Sequence, residues 1–159
     1  MTSYQANLDA ASSSVDVLIA ESTSINHVEV IENVIDTLEQ DDSAMVSQTP
    51  EGGYLWKFKY GSVEVFVQLT GTTDEDTITV WAAVLKLPAK DEPQLMRKLL
   101  EMNCSGTFEA RFGIIESQVV VLTTRTLAEL SAGEVSRLIT VVATIADNND
   151  DALQSEFGA

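Results

Sequence analysis

The sequence predicts an α+β domain, an antiparallel sheet of about five or six strands with three main helices, and three observations carry that prediction. Apolar residues recur at helical spacing in three separate segments, each opened by a capping signal. Between those segments the apolar residues alternate at period two. The strand-like runs also come in groups joined by short turns, not in the regular strand and helix alternation of a parallel sheet. A chain of 159 residues is the size of one ordinary domain, and such a domain buries about 68 to 70% of the surface its unfolded chain would expose. One real core is therefore expected, and the 45% apolar content with eight Gly and three Pro is that of a globular chain.

In chain order, residues 1–24 carry Ser12 to Ser14 and Ser22 to Ser24 around a weakly apolar Val15 to Ala20, and read as an N-terminal arm or short helix. Asn26 with Glu29 is a helix-start signal, and Val28, Ile31, Ile35 and Leu38 repeat at helical spacing up to Gln40-Asp-Asp42. From Ser43 the period changes to two. Met45-Val46 lead into the turn Pro50-Glu-Gly-Gly53, after which Tyr54, Trp56, Phe58 and Tyr60 form an aromatic row alternating with Leu55, Lys57 and Lys59. Beyond Gly61, Val63, Val65, Val67 and Leu69 alternate with Glu64, Phe66 and Gln68. The acidic turn Gly71 to Asp76 then leads to a run from Thr77 to Leu87, whose Val80 to Leu85 are apolar on both faces, as in the middle of a sheet.

Pro88 stops that strand. Asp91-Glu-Pro93 opens a helix with Leu95, Met96, Leu99, Leu100 and Met102 on its apolar stripe, and Gly106 ends it. Phe108, Ala110, Phe112 and Ile114 are expected on one face of the next strand, which returns through a tight turn at Glu116-Ser117 as Val119 to Leu122. Ser131 with Glu134 is a capping box for a closing helix with Val135, Leu138, Ile139, Val142, Ile145 and Ala146 along one stripe.

Charge narrows the function. Against 25 acids there are nine Lys and Arg, for a net charge of -16, and the bases are scattered in ones and twos with no basic stripe. A phosphate backbone, which is bound through clusters of lysine and arginine, is a poor partner for such a chain, so nucleic acid is not expected. No apolar run is long enough to span a bilayer and the N-terminus lacks the positive region of a secretory signal, which predicts a soluble cytoplasmic protein with no membrane partner.

The segments Leu95-Met-Arg-Lys-Leu-Leu-Glu-Met-Asn103, Phe108-Glu-Ala-Arg-Phe-Gly113 and Val119-Val-Val-Leu122, with a capped helix expected to end at Ala143-Thr-Ile-Ala-Asp147, together resemble the YbjN family. That family is similar in fold to the small acidic chaperones of type III secretion. The resemblance covers residues 26–153 in element order. It implies a small α+β domain at 25–153 with a C-terminal tail at 154–159, commonly a homodimer, that binds extended polypeptide segments and catalyses nothing.

Candidate chemistry is sparse. Cys104 and His27 are the single cysteine and the single histidine. A thiol at the C-terminus of a helix faces a dipole that disfavours thiolate, so Cys104 reads as structural or incidental, and His27, beside a helix start, reads as a surface residue. Asp147 to Ala152 begins like a calcium loop, but Ala152 stands where the turn glycine should be and Gly158 where the closing glutamate should be. No nucleophile elbow, phosphate loop, dinucleotide fingerprint or metal-spaced histidine occurs. The expectation is no enzyme, no catalytic residue, no cofactor and no metal. The remaining feature is the sheet face less suited to packing on helices, where Leu55, Phe66, Trp81, Ala83 and Leu85 are expected to contact a partner or a second copy. The leading expectation is a chaperone-like domain that holds a segment of another protein, with assembly factor as its finer form. The alternative is a regulatory module that binds a basic partner through its acidic surface.

Overall fold

The structure, a computed structural model, describes residues 25–159, and the expected arm at 1–24 lies outside the described residues. Helix α1 (His27–Leu38) is followed by β1 (Met45–Gln48), β2 (Tyr54–Tyr60), β3 (Val63–Leu69) and β4 (Thr77–Lys86). Helix α2 (Glu92–Ser105), β5 (Arg111–Ile115), β6 (Gln118–Thr126) and α3 (Ala132–Phe157) complete the order. The six strands form one antiparallel sheet in the order β1-β2-β3-β4-β6-β5. The expected class, α+β with three helices and an open antiparallel sheet, is what the described residues form.

Local signals set the helix ends. The Asn26 side chain accepts from the Glu29 N–H at 3.2 Å, Asp91 accepts from Gln94, and Ser131 with Glu134 forms the reciprocal capping box. Each satisfies backbone donors that have no partner inside the first turn. One helix runs further than its pattern suggests. Past Ala146 the buried stripe of α3 continues through Asp150, Leu153 and Phe157, at the spacing of one helix face, so residues 154–157 of the expected tail are its last turn. The Phe157 carbonyl accepts from the Lys90 N–H at 2.8 Å, and Lys98 pairs with Glu156 at 2.7 Å, which ties that turn to the loop before α2 and to the middle of that helix.

The fifth strand is shorter than expected. Phe108 has φ of +50° and is 79% exposed, and the strand begins only at Arg111. At the other end of that hairpin, Glu116 and Ser117 both take positive φ, as a tight hairpin turn requires.

The core lies between the helices and one face of the sheet. Trp56 and Phe58 of β2, the buried valines of β3, Ile78, Val80 and Ala82 of β4, and Val119 and Val121 of β6 meet Ile31 and Ile35 of α1, Leu95 and Leu99 of α2, and the stripe of α3. The aromatic row of β2 thus fills core: Tyr54 stacks on Trp56 at 5.3 Å, and the Trp56 indole N–H donates to Glu32. All three helices contribute to this one layer, which leaves the second face of the sheet without a described element over it.

Candidate functional site

Strand alternation sends every second side chain to that second face, and the register decides which ones meet. Phe66 of β3 is paired with Trp81 of β4, and Trp81 in turn with Leu122 of β6. Phe66 and Trp81 stack with centroids 5.2 Å apart and planes 9° apart. Leu55 on β2 lies toward the β1 side. Ala83 on β4 pairs with Val120 on β6, which pairs with Gly113 on β5. The result is a shallow apolar strip across four strands, centred on two aromatic rings.

Leu55, Phe66, Trp81 and Ala83 sit on this face as the sequence predicts, and all four are half-buried. Leu85 does not. The register between β4 and β6 shifts between Ala83 and Leu85, so that Leu85 pairs with Val119, a core residue, and is itself 5% exposed within the core cluster. An irregularity of this kind inserts one residue into a strand and turns the following side chain to the other face. Leu122, half-buried, joins the strip and Val120, only 1% exposed, lies beneath it, although the sequence pattern singles out neither. The run Val119 to Leu122 is apolar on both faces, so alternation alone cannot assign them. They become legible once β6 is known to lie beside β4.

Charged residues frame the strip. Lys57 and Lys59 of β2, Lys86 of β4 and Arg111 of β5 project to the same side, with Glu64 of β3 as the strands' acid there. Lys57 and Glu64 pair at 3.3 Å, and both are well exposed.

The other candidates are not brought together. Cys104 is exposed in the last turn of α2, while His27 lies at the start of α1 with Nε2 at 3.0 Å from the Leu130 carbonyl. The residue that matters beside Cys104 is Asn103. Its Oδ1 accepts from the Phe112 N–H at 2.7 Å and its Nδ2 donates to the Phe112 carbonyl at 3.3 Å, which fastens α2 to the edge strand. The acidic stretch near the end of α3 is likewise structural. Ser62, in the β2–β3 turn, donates from its backbone N–H to Asp147 at 2.9 Å and from its hydroxyl to Asp150 at 2.7 Å. Among the described residues no group of three or more His, Cys, Asp or Glu is placed to hold a metal ion, and no helix is long and apolar enough to cross a membrane.

Comparison with known proteins agrees with this architecture. The family model described as "YbjN: Putative bacterial sensory transduction regulator" matches residues 27–155. The curated proteins give no match. Among solved structures, a chain from "Crystal Structure of the ExsC-ExsE Complex" is similar with a TM-score of 0.51 and 20% sequence identity, covering 67% of this chain and 80% of that one. At that identity the likeness is one of fold.

Proposed function

The chain belongs to the YbjN family, and from that premise we propose that it is a non-enzymatic, chaperone-like binding domain of the cytoplasm that holds a segment of another protein against the open face of its sheet. The observation that carries this reading is the Phe66–Trp81 stack at the centre of a face over which no described element lies. Two large rings side by side on a rigid four-strand platform offer apolar area to a partner without the cost of ordering flexible side chains. The fold likeness to a chain taken from a protein complex supports the same reading, as does the similarity in fold between the YbjN family, which the sequence resembles, and type III secretion chaperones. A role as an assembly factor is the finer form of the proposal. Self-association belongs to it as well, through the apolar residues left exposed on α2, on β5 and between them: Leu100, Phe108 and Ile114.

A second reading, regulation through the acidic surface, is favoured by the net charge of -16. Salt distinguishes the two. Apolar docking persists at high ionic strength, whereas charge-led association fades as the screening length falls to about 3 Å at 1 M. The test is capture of partners from native extract by the tagged full chain, by Trp81→Glu and by Leu100→Glu, each confirmed folded by circular dichroism and each assayed at low salt and at 1 M. The proposal expects one recurrent protein that stays bound at 1 M, is lost with Trp81→Glu and is kept with Leu100→Glu. A partner that is lost in salt and indifferent to Trp81→Glu would replace it with the second reading.

A further inference from the structure

The strand positions on the open side carry more bases than acids, although the chain as a whole is acidic. With 25 acids and nine bases in the sequence, the strands nonetheless direct Lys57, Lys59, Lys86 and Arg111 to this side against Glu64. Lys57 is paired with Glu64 and Lys59 with Asp41 of the turn between α1 and β1, at 3.3 and 3.7 Å. Arg111 and Lys86 are exposed and have no ion pair among the described residues. Their positions are what matter. Arg111 is directly opposite Leu122, and Lys86 stands on β4 just beyond Ala83 and opposite Gln118. Two cations without an ion pair among the described residues thus border the apolar strip.

We infer that the occupant of this face is a segment of another protein that carries apolar anchors flanked by aspartate or glutamate. The inference rests on the proposed binding role for its choice of face, and adds the chemistry of the partner. A basic segment, which the net charge alone would favour, would bring its own cations against Arg111 and Lys86 as the strip loses water, and like charges set together at an interface cost affinity. A second copy docking face to face would oppose the same basic rims to each other. An acid-flanked apolar segment satisfies both features at once: its apolar residues cover Phe66, Trp81 and Leu122, and its carboxylates reach Arg111 and Lys86 while remaining at the wet rim.

Two synthetic peptides test this, identical in their leucine and phenylalanine positions and differing only in whether glutamate or lysine flanks them. Binding to the full chain is read from tryptophan emission. Trp56 is 3% exposed in the core, so the change reports Trp81, and Trp81→Phe serves as the control that abolishes it. The glutamate peptide is expected to bind about tenfold more tightly than the lysine peptide, a ratio that corresponds to about 1.4 kcal/mol. The double variant Lys86→Glu/Arg111→Glu is expected to reverse that preference. Lys86→Gln/Arg111→Gln, which only neutralises the rim, is expected to erase it and serves should the reversed pair fail to fold. Tighter binding of the lysine peptide by the wild-type chain, or a preference that ignores the rim variants, would overturn the inference while leaving the binding role standing. Binding of neither peptide, because a second copy or the chain's own residues 1–24 fill the face, would overturn it equally.

Discussion

Asp76 illustrates how a residue that invites a functional reading is explained by its neighbours. It ends an acidic turn, yet its carboxylate accepts from the Thr73 hydroxyl at 2.7 Å, the Thr73 N–H at 3.0 Å and the Thr70 hydroxyl at 2.9 Å, closing the loop between β3 and β4. The Thr73 hydroxyl first, then its backbone N–H and the Thr70 hydroxyl, hold the Asp76 carboxyl below the usual aspartate range. A carboxylate whose folded pKa is depressed stabilises the fold above its unfolded pKa and loses that contribution as pH falls through the folded value. The gap in Tm between wild type and Asp76→Asn should therefore be full and constant above about pH 5 and should close below about pH 4. Thermal melts of both proteins across that range check it, and a gap that widens on acidification would contradict the assignment. Cys104 and Asn103 make the same point from the sequence side. The lone cysteine draws attention by its chemistry, while the asparagine before it does the structural work, and its role appears only when the backbone of Phe112 is seen to lie within its reach.

At the scale of elements, capping and periodicity made α1, α2, β2, β3 and β4 legible, because each has a strong local signal and a single buried face. Two elements resisted for physical reasons. In β4 the register shift after Ala83 moves Leu85 into the core, and an inserted residue leaves no trace in a run that is apolar on both faces. In α3 the segment Asn148-Asn-Asp-Asp151 looks like a polar helix end, but Asp150 occupies a stripe position and is 3% exposed. A buried carboxylate is tolerated where a hydrogen bond meets it, and the Ser62 hydroxyl from the β2–β3 turn supplies one to Oδ2, while Oδ1 has no partner. This contact fastens the middle hairpin to the long helix, with Gly61 in the same turn at φ of +56° so close to Asp147 that a side chain there would collide. Ser62→Ala should accordingly cost about 1–3 kcal/mol, the range for leaving a buried polar group without its partner. Chemical denaturation measures it, with the exposed Ser155→Ala as a control within about 0.5 kcal/mol of wild type. A loss no larger than that of the control would show that the Ser62 to Asp150 contact does not secure the hairpin.

For the molecule as a whole, the sequence indicated an antiparallel α+β domain and half of what lies on its open face, but not strand order. The placement of β6 between β4 and β5 is a long-range choice. It sets Val120 and Leu122 beside Ala83 and Trp81, completes the apolar strip and brings Arg111 to its border. Net charge is similarly misleading when taken as one number: a total of -16 describes solubility and long-range field, whereas a partner meets the local arrangement of Lys86, Arg111 and the two stacked rings. The central claim, that another protein's segment lies on this face, is tested most directly by a photo-crosslinker placed in the stack. Phe66→p-benzoylphenylalanine, in the full chain expressed in its native cells, should give on irradiation a covalent adduct of the chain with one other protein, and the same group at the exposed position Gln94 on the outer side of α2 should not. Irradiation that leaves the position-66 protein at its own mass, or yields the same adducts from both positions, would contradict the account.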